Sequence, residues 1–375
     1  MNVVLAIESL EIGGAERQVV ELAIGLKKRN HQVSICCLNR FGSLAEEVIK
    51  SGVLVVCLNK RFRYDLRVIL RLAAYLRETN ADILQTFLFG ADLWGRFAGR
   101  LARVKVILTS DRAGGLVRDL IERWTLKLFW KLSDGVVSNT CTGARAVSTM
   151  SGLGKDRVHV VFNGIRTERF SVHVDRNQLR RMHNYQPGQF VVGIVGGLKR
   201  IKNHEMFLRV AYELSAVRSR CTFLVIGVGP EQYRLQSLAK QIGITDNTRF
   251  LGHYDNVAEI LPACDVGVLC SRWEGFPNSI MEYMACGLPV VATDVGGVSE
   301  LVQSGVTGFL VQSGAVAQMA QKILWLQHNR DESIRMGLRG KSWLEENCGV
   351  GILAQKTEAI YKSILSAKGY PSESI

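Results

Sequence analysis

A chain of 375 residues with 47% apolar and 22% charged residues can build two domains of ordinary size and is too apolar for a disordered protein. The formal net charge is +13, and residues 1–170 carry +10 of it, from 26 Lys and Arg against 16 Asp and Glu. That basic half suits an anionic partner of some kind, whether nucleic acid, an anionic membrane face or a phosphorylated substrate, and excludes none of the three.

The chain opens on an apolar run, Val3–Ile7, suited to a buried strand. Gly13 and Gly14 follow, and then a helical pattern with Val19, Val20, Leu22, Ala23 and Leu26 apolar. Lys27, Lys28 and Arg29 close its last turn, as helix polarity favours. Strands are predicted at 32–38, 54–58, 83–86 and 104–109, and helices at 44–51, 65–79 and 91–102. Residues 165–189 are polar and weakly periodic, which marks a domain boundary. Alternation resumes with strands at 191–195, 222–226, 249–251, 266–270 and 289–292, and helices at 204–217, 231–242 and 257–261. A last helix is expected over 353–365. Strict strand–helix alternation predicts βα units and mostly parallel, doubly wound sheets. The expected division is 1–168, 169–350 and a C-terminal helix and tail, 351–375.

Nine cysteines without a CxxC pair read as free thiols in a reducing compartment, with Cys36–Cys37 as strand packing. The start, MNVVLAIESLEIGG, lacks a basic n-region and a full apolar h-region, so no secretory signal is expected. No apolar run reaches about 18 residues, so no spanning helix is expected either. The expected location is cytoplasmic, with peripheral attachment to the cytosolic face of a membrane as the alternative.

Residues 274–282 read EGFPNSIME, between two predicted strands. Pro277 favours helix entry, so Asn278, Ser279 and Ile280 fall where helical N–H groups lack intrahelical acceptors and can hold an anion. Glu282 lies about one turn further in and suits a vicinal diol beside that anion. Glu274 precedes the helix and could reach another part of the same ligand. The plainer alternative is that both acids serve solubility or capping. GGLKRIKNH, residues 196–204, follows the first strand of the same half. Its Gly196 and Gly197 allow close backbone approach, and Lys199, Arg200 and Lys202 supply charge for a phosphate. GVGPE (227–231) lacks the third glycine of a dinucleotide fingerprint, having Gln232 there. Walker, HExxH, GxSxG, Asp-x-Asp and Cys/His metal patterns do not occur in the chain.

Taken together these motifs resemble the family-4 retaining glycosyltransferases of the GT-B fold, over nearly the whole chain. EGFPNSIME followed by MACGLPVVATDVGG resembles that family's E-x7-E signature, with Ser271 at its small polar position. GGLKRIKN, IGGAERQVVELAIGL, FNGIRTERF and GVSELVQSGVTGFLV resemble its other segments. The resemblance implies two Rossmann-like domains facing each other across a cleft, with a C-terminal helix packing back on the N-terminal domain. It implies a hexosyltransferase moving a sugar from a nucleotide-sugar to an acceptor hydroxyl with retention, needing neither metal nor cofactor. By position, Glu282 would bind the ribose, Glu274 the transferred sugar, the N–H groups of Asn278–Ile280 the diphosphate, and Lys202 the leaving group. Gly13 and Gly14 would border the diphosphate from the N-terminal domain. The chain departs from the family at Gly197, where an arginine is usual and Arg200 or Lys199 would substitute, and at Phe87, where a histidine is frequent.

The acceptor is expected on the basic N-terminal half. Arg67, Arg71 and Arg77 lie among Leu and Ile in 65–78. Arg123, Trp124, Lys127, Phe129, Trp130 and Lys131 lie in 122–135. Such mixtures suit an interfacial helix on anionic lipid, or equally a packed core with solvated cations. The leading expectation is synthesis of a polysaccharide, lipopolysaccharide or glycolipid on a saccharide or lipid-linked acceptor. A synthase with a soluble acceptor and a nucleotide-sugar-binding protein without transfer are the alternatives. No nucleic-acid module is recognised.

Overall fold

The computed structural model describes residues 1–62, 65–112, 129–170, 175–217, 219–254 and 256–370. The chain forms two compact units, Met1–Ile165 with Cys348–Ile375, and Arg166–Asn347.

In the first unit the strands are β1 (Asn2–Ser9), β2 (Gln32–Arg40), β3 (Leu54–Cys57), β4 (Ile83–Phe87), β5 (Val106–Asp111), β6 (Gly135–Ser138) and β7 (Val158–Val160). Among the described residues they form one seven-stranded sheet in the order 3-2-1-4-5-6-7. Every pairing is parallel, with Val3 opposite Val33 on one side and Ile83 on the other. Parallel strands need crossovers, and the helices α1 (Gly14–Lys28), α2 (Ala45–Lys50), α3 (Arg67–Glu78), α4 (Phe89–Ala102) and α5 (Cys141–Ser151) supply five of the six, the connection from β5 to β6 lying largely outside the described residues. The apolar positions of α1 expected from its periodicity are all buried, and so is the whole run Val3–Ile7. Helices on both faces of the sheet explain that continuous run. One core lies between the sheet and α1, and another between the sheet and α3 with α4.

The second unit repeats the plan. Its strands are β8 (Phe190–Val195), β9 (Cys221–Ile226), β10 (Thr248–Gly252), β11 (Val266–Leu269), β12 (Val290–Thr293) and β13 (Gly308–Val311), parallel and ordered 10-9-8-11-12-13. Its helices are α6 (Arg176–Met182), α7 (His204–Ala216), α8 (Gln232–Gln241), α9 (Asn278–Ala285), α10 (Val316–His328) and α11 (Arg330–Cys348). The helix expected over 257–261 is instead two single 3₁₀ turns, Val257–Glu259 and Leu261–Ala263. Pro262 has no N–H to give a continuing helix, which accounts for the break. The weakly periodic segment after 165 does contain a helix, α6, that buries only Leu179. Charge holds it in place. Arg176, Arg180 and Arg330 all pair with the buried Asp265, at 2.7, 2.5 and 2.6 Å.

The terminal helix α12 (Val350–Ala367) returns to the first unit and packs on α1. The two helices touch at Gly25, where an added Cβ would lie 2.9 Å from both Ala354 Cβ and Val350 Cγ1. Tyr361 of α12 is fully buried and hydrogen-bonded to Gln85 of β4. The C-terminal helix therefore packs back on the N-terminal domain, and the fold is α/β with two Rossmann-like, doubly wound halves.

Candidate functional site

An open parallel sheet binds ligands beyond the carboxyl ends of its strands, where the strand order reverses. In the second unit that point lies between β8 and β11. Gly196 and Gly197 directly follow β8, and Ser271 and Glu274 follow β11. The motifs chosen from sequence thus meet at one end of one sheet.

Lys202 Nζ donates to both carboxylate oxygens of Glu274, at 2.6 and 2.9 Å. Ser271 Oγ donates to the same carboxylate at 2.5 Å, and Thr293 Oγ1 donates to the Ser271 carbonyl at 2.7 Å. Glu274 is 8% exposed and Ser271 is fully buried. A carboxylate this buried needs a counter-charge and hydrogen bonds, and it has both. The loop after β12 holds its backbone. Gly296 has φ +56°, and the Gly297 N–H donates to the Gly275 carbonyl at 3.1 Å.

Helix α9 starts just beyond, with Pro277 as its N-cap at φ −71° and Asn278, Ser279 and Ile280 as its first residues. Those positions carry amides with no intrahelical acceptor, at the positive end of the helix dipole. Glu282 sits on the same helix about 6 Å further along its axis and is half-buried. The placement of α9 depends on a residue the sequence reading did not single out. Tyr283 is fully buried, its hydroxyl accepts from the Val195 N–H at 2.7 Å and donates to the Val268 carbonyl at 3.2 Å. It ties α9 to the ends of β8 and β11. The available signal was Gly267, within β11. A Cβ there would lie 2.2 Å from the Tyr283 ring.

The glycines of GVGP have a similar role. Gly227 adopts φ +136°, and a Cβ on it would lie 2.1 Å from the Gly196 carbonyl oxygen. A Cβ on Gly229 would lie 2.5 Å from that of Leu198. They let two backbones touch under the Gly196–Gly197 turn. Gly196 and Gly197 themselves are not crowded, since a Cβ at 197 meets nothing nearer than 3.8 Å. The nearest side-chain atom is Lys199 Cε, at 3.9 Å. Arg200 pairs instead with Glu231, at 3.5 Å, and its side chain is 86% exposed. Of the two cations weighed for the missing arginine, Lys199 is the one that lies against Gly197.

In the first unit the corresponding strand ends are those of β1 and β4. Gly13 is the extended N-cap of α1 and Gly14 its first residue. Gln18 of α1 donates to and accepts from the backbone of Gly164, at 2.9 and 2.7 Å, and so anchors the Asn163–Gly164 segment. Phe87 is fully buried under the Arg112 guanidinium, 5.3 Å from its ring centre. Leu88 then turns the chain into α4 with φ +69° and ψ 156°, a region that leucine adopts only under strain from its surroundings.

Of the residues weighed for membrane contact, Trp130 is buried with the Arg96 guanidinium over it, and Phe129 packs edge-on against Phe97. For Trp130 the packed-core reading holds, while Phe129 is half-buried. Arg123, Trp124 and Lys127 lie outside the described residues. Arg71 is tied to Asp65, and Arg77 to the Leu101 carbonyl. Phe62, Leu66 and Leu70, four residues apart, are each more than 60% exposed, with Arg61 and Arg67 exposed beside them. No helix among the described residues is long and apolar enough to cross a membrane, and no three His, Cys, Asp or Glu side chains among them cluster as a metal site.

The model of the family "Glycosyl transferases group 1" matches residues 175–343, and that of "Glycosyltransferase Family 4" matches residues 12–169. An N-acetyl-alpha-D-glucosaminyl L-malate synthase of Bacillus anthracis is 29% identical over 212 residues, 56% of this chain and 54% of that protein. A D-inositol 3-phosphate glycosyltransferase of Nocardia farcinica is 31% identical over 245 residues, 61% of this chain and 54% of that protein. The match therefore spans about half the length of these two curated relatives. Among solved structures, Anabaena HepE in complex with UDP and glucose superposes with a TM-score of 0.87 at 20% identity, covering 97% of this chain and all of that one. A sucrose-phosphate synthase from Thermosynechococcus elongatus gives 0.81 at 18% identity, covering 98% and 99%. At these identities the likeness is one of fold.

Proposed function

We propose that this chain, which belongs to the glycosyltransferases of group 1 and family 4, moves a sugar from a nucleotide-sugar donor to an acceptor hydroxyl. The observation that carries the reading is the Lys202–Glu274 contact beside the start of α9, at the switch point of the second sheet. An anionic diphosphate needs cations and amide donors, and a sugar needs hydrogen-bond acceptors. This corner supplies both within a few residues.

In this reading the α9 amides of Asn278–Ile280 receive the donor diphosphate and Glu282 receives the ribose hydroxyls. Glu274 accepts from hydroxyls of the transferred sugar. Held by Ser271, it keeps its direction when the Lys202 ammonium turns toward phosphate oxygens. Negative charge grows on the diphosphate as the sugar–oxygen bond breaks. Lys202 and the helix amides meet that charge where it develops, and such preorganised donors are worth about 10²–10³ in rate each. Retention and independence of a metal belong to the proposal through the family likeness. UDP and UDP-glucose complexes of the Anabaena structure support a nucleotide-sugar as donor.

For the acceptor, we propose a saccharide, lipid-linked and presented at an anionic membrane face. The exposed Phe62–Leu66–Leu70 stripe with Arg61 and Arg67 favours this over a soluble acceptor, because apolar side chains flanked by cations suit an anionic interface. Co-sedimentation should be stronger with anionic than neutral vesicles and should drop in Leu66→Asp/Leu70→Asp. Equal binding to both vesicle types would remove this part. The donor reading is tested by thermal shift against a nucleotide-sugar panel. One donor should raise the melting temperature of the wild type but not of Glu282→Ala, and no shift from any donor, or an equal shift in both proteins, would refute it.

A further inference from the structure

The first unit carries a pair of charges that the donor reading leaves unused. The order of its sheet reverses between β1 and β4, and open parallel sheets bind ligands at such a point. Glu8 stands near the carboxyl end of β1. Against it lies Gly90, the second residue of α4, which leaves β4 through the strained turn at Leu88. Glu8 Oε1 accepts from Lys60 Nζ at 3.3 Å. The next acid along the chain, Glu11, is paired with Arg40 at 2.9 Å.

Lys60 and Glu8 satisfy each other only in part. The Lys60 side chain is 8% exposed, yet among the described residues its ammonium makes that single bond. The bond is longer than the roughly 2.7–2.9 Å of a settled ion pair, and two of the three ammonium donors are left over. A buried cation with spare donors costs free energy unless a ligand or water takes them. The Glu8 side chain is 39% exposed, so a ligand can reach the pair from solvent. Gly90 shows that the carboxylate has a prepared place. A Cβ there would lie 2.0 Å from Glu8 Oε1 and 2.7 Å from its carboxyl carbon. The φ of Gly90 is not in the left-handed region, so the backbone does not require glycine and room for the carboxylate does.

We infer that Glu8 and Lys60 bind the hydroxyl groups of a neutral acceptor sugar. The inference rests on the transferase reading and deepens it, and its geometry stands on the first unit alone. The carboxylate accepts from sugar hydroxyls, and the spare ammonium donors reach a hydroxyl or ring oxygen. The pair has no net charge, and its exposed member repels an anion, so the place suits a sugar and not a phosphate. It also suits a sugar that arrives on a lipid. Phe62, the first residue of the exposed stripe, is two residues beyond Lys60. Arg71 of α3 donates to the Asn59 carbonyl at 3.0 Å, which ties the helix bearing Leu70 to the same turn. Glu8 and Lys60 hold the acceptor in this account and carry no proton transfer.

The test uses the full chain, the nucleotide-sugar that raises its melting temperature, and four octyl glycosides as acceptor probes: the glucoside, galactoside, mannoside and N-acetylglucosaminide. At least one should accelerate nucleoside diphosphate release by the wild type. Glu8→Gln should raise KM for that glycoside at least tenfold, the loss of one charge-assisted hydrogen bond. The donor should raise the melting temperature of Glu8→Gln as much as that of the wild type. Gly90→Ala keeps both charges and favours the helix, yet pushes the carboxylate from its place, and it should raise the same KM. A Glu8 that only steadied α4 would leave KM for the glycoside where it was. The inference is overturned if no glycoside accelerates release, or if KM for the glycoside is unchanged in either variant. Loss of the donor shift in Glu8→Gln alone also overturns it, by assigning Glu8 to the donor. A wild type that no donor shifts removes the transferase reading, and this inference with it.

Discussion

Gly296 touches no ligand in the proposed mechanism, yet its replacement by alanine should cost both stability and turnover. Its φ is +56°, and a Cβ built on it would lie 1.8 Å from the Glu274 carbonyl oxygen. Real Cβ contacts essentially never fall under 3.0 Å, so one backbone must give by about 1.2 Å. The obstacle is main chain, which no rotamer change can relieve. Left-handed strain adds roughly 1–2 kcal/mol, and the overlap brings the total to roughly 2–4 kcal/mol. For a unit of this size that lowers Tm by roughly 5–15 °C. The shift falls on the backbone of Glu274, and a misplacement of about 1 Å at a reacting centre costs about 10²-fold in kcat. Gly305→Ala is the control. Its φ is +84° but nothing lies within 4 Å of the added Cβ, so it should lose about 1–2 kcal/mol and keep its activity. Melting curves and nucleoside diphosphate release, measured on both variants, decide the matter. If Gly296→Ala is as mild as Gly305→Ala in both assays, the buttress beneath Glu274 is not what the geometry says it is.

Three other outcomes follow from the same site. Gly197→Arg should fold normally, because a Cβ added there meets nothing nearer than 3.8 Å and its backbone is not in the left-handed region. It should tighten nucleotide-sugar binding about tenfold, the value of one charge-assisted hydrogen bond, as read by calorimetry. Tyr283→Phe strands the Val195 N–H and Val268 carbonyl. It should lower stability by about 1–3 kcal/mol in thermal melts. His204 gives a pH dependence. Its folded pKa lies at about 4, below the ordinary 6.5, so the unfolded chain takes up its proton first as pH falls. Stability should be complete above pH 6.5 and decline toward pH 4, by about 3 kcal/mol in all. His204→Phe should flatten that slope in melts run across the range.

The strands and most helices were legible because burial on both faces leaves continuous apolar runs such as Val3–Ile7, and one-sided burial leaves the period of α1. The meeting of Lys202 with Glu274 was legible as a place because Gly196, Lys202 and Glu274 all fall just beyond strand ends of one parallel sheet. What the sequence concealed is held together by single long-range contacts. Asp265 gathers three arginines from α6 and α11, and no local pattern announces such a hub. Tyr283 looks like an ordinary core aromatic until its hydroxyl is seen spanning two strands. The two 3₁₀ turns around Pro262 share the apolar content of a helix, and only the missing N–H separates them. The β6, β7 and β13 strands were passed over.

The central claim is that Lys202 stabilises a diphosphate leaving from a sugar. The most direct measurement is release of nucleoside diphosphate from a nucleotide-sugar that the wild type accepts, compared with Lys202→Ala at saturating donor. The account predicts a fall of about 10²–10³-fold in kcat with a much smaller change in KM. Turnover within a few-fold of wild type would contradict it.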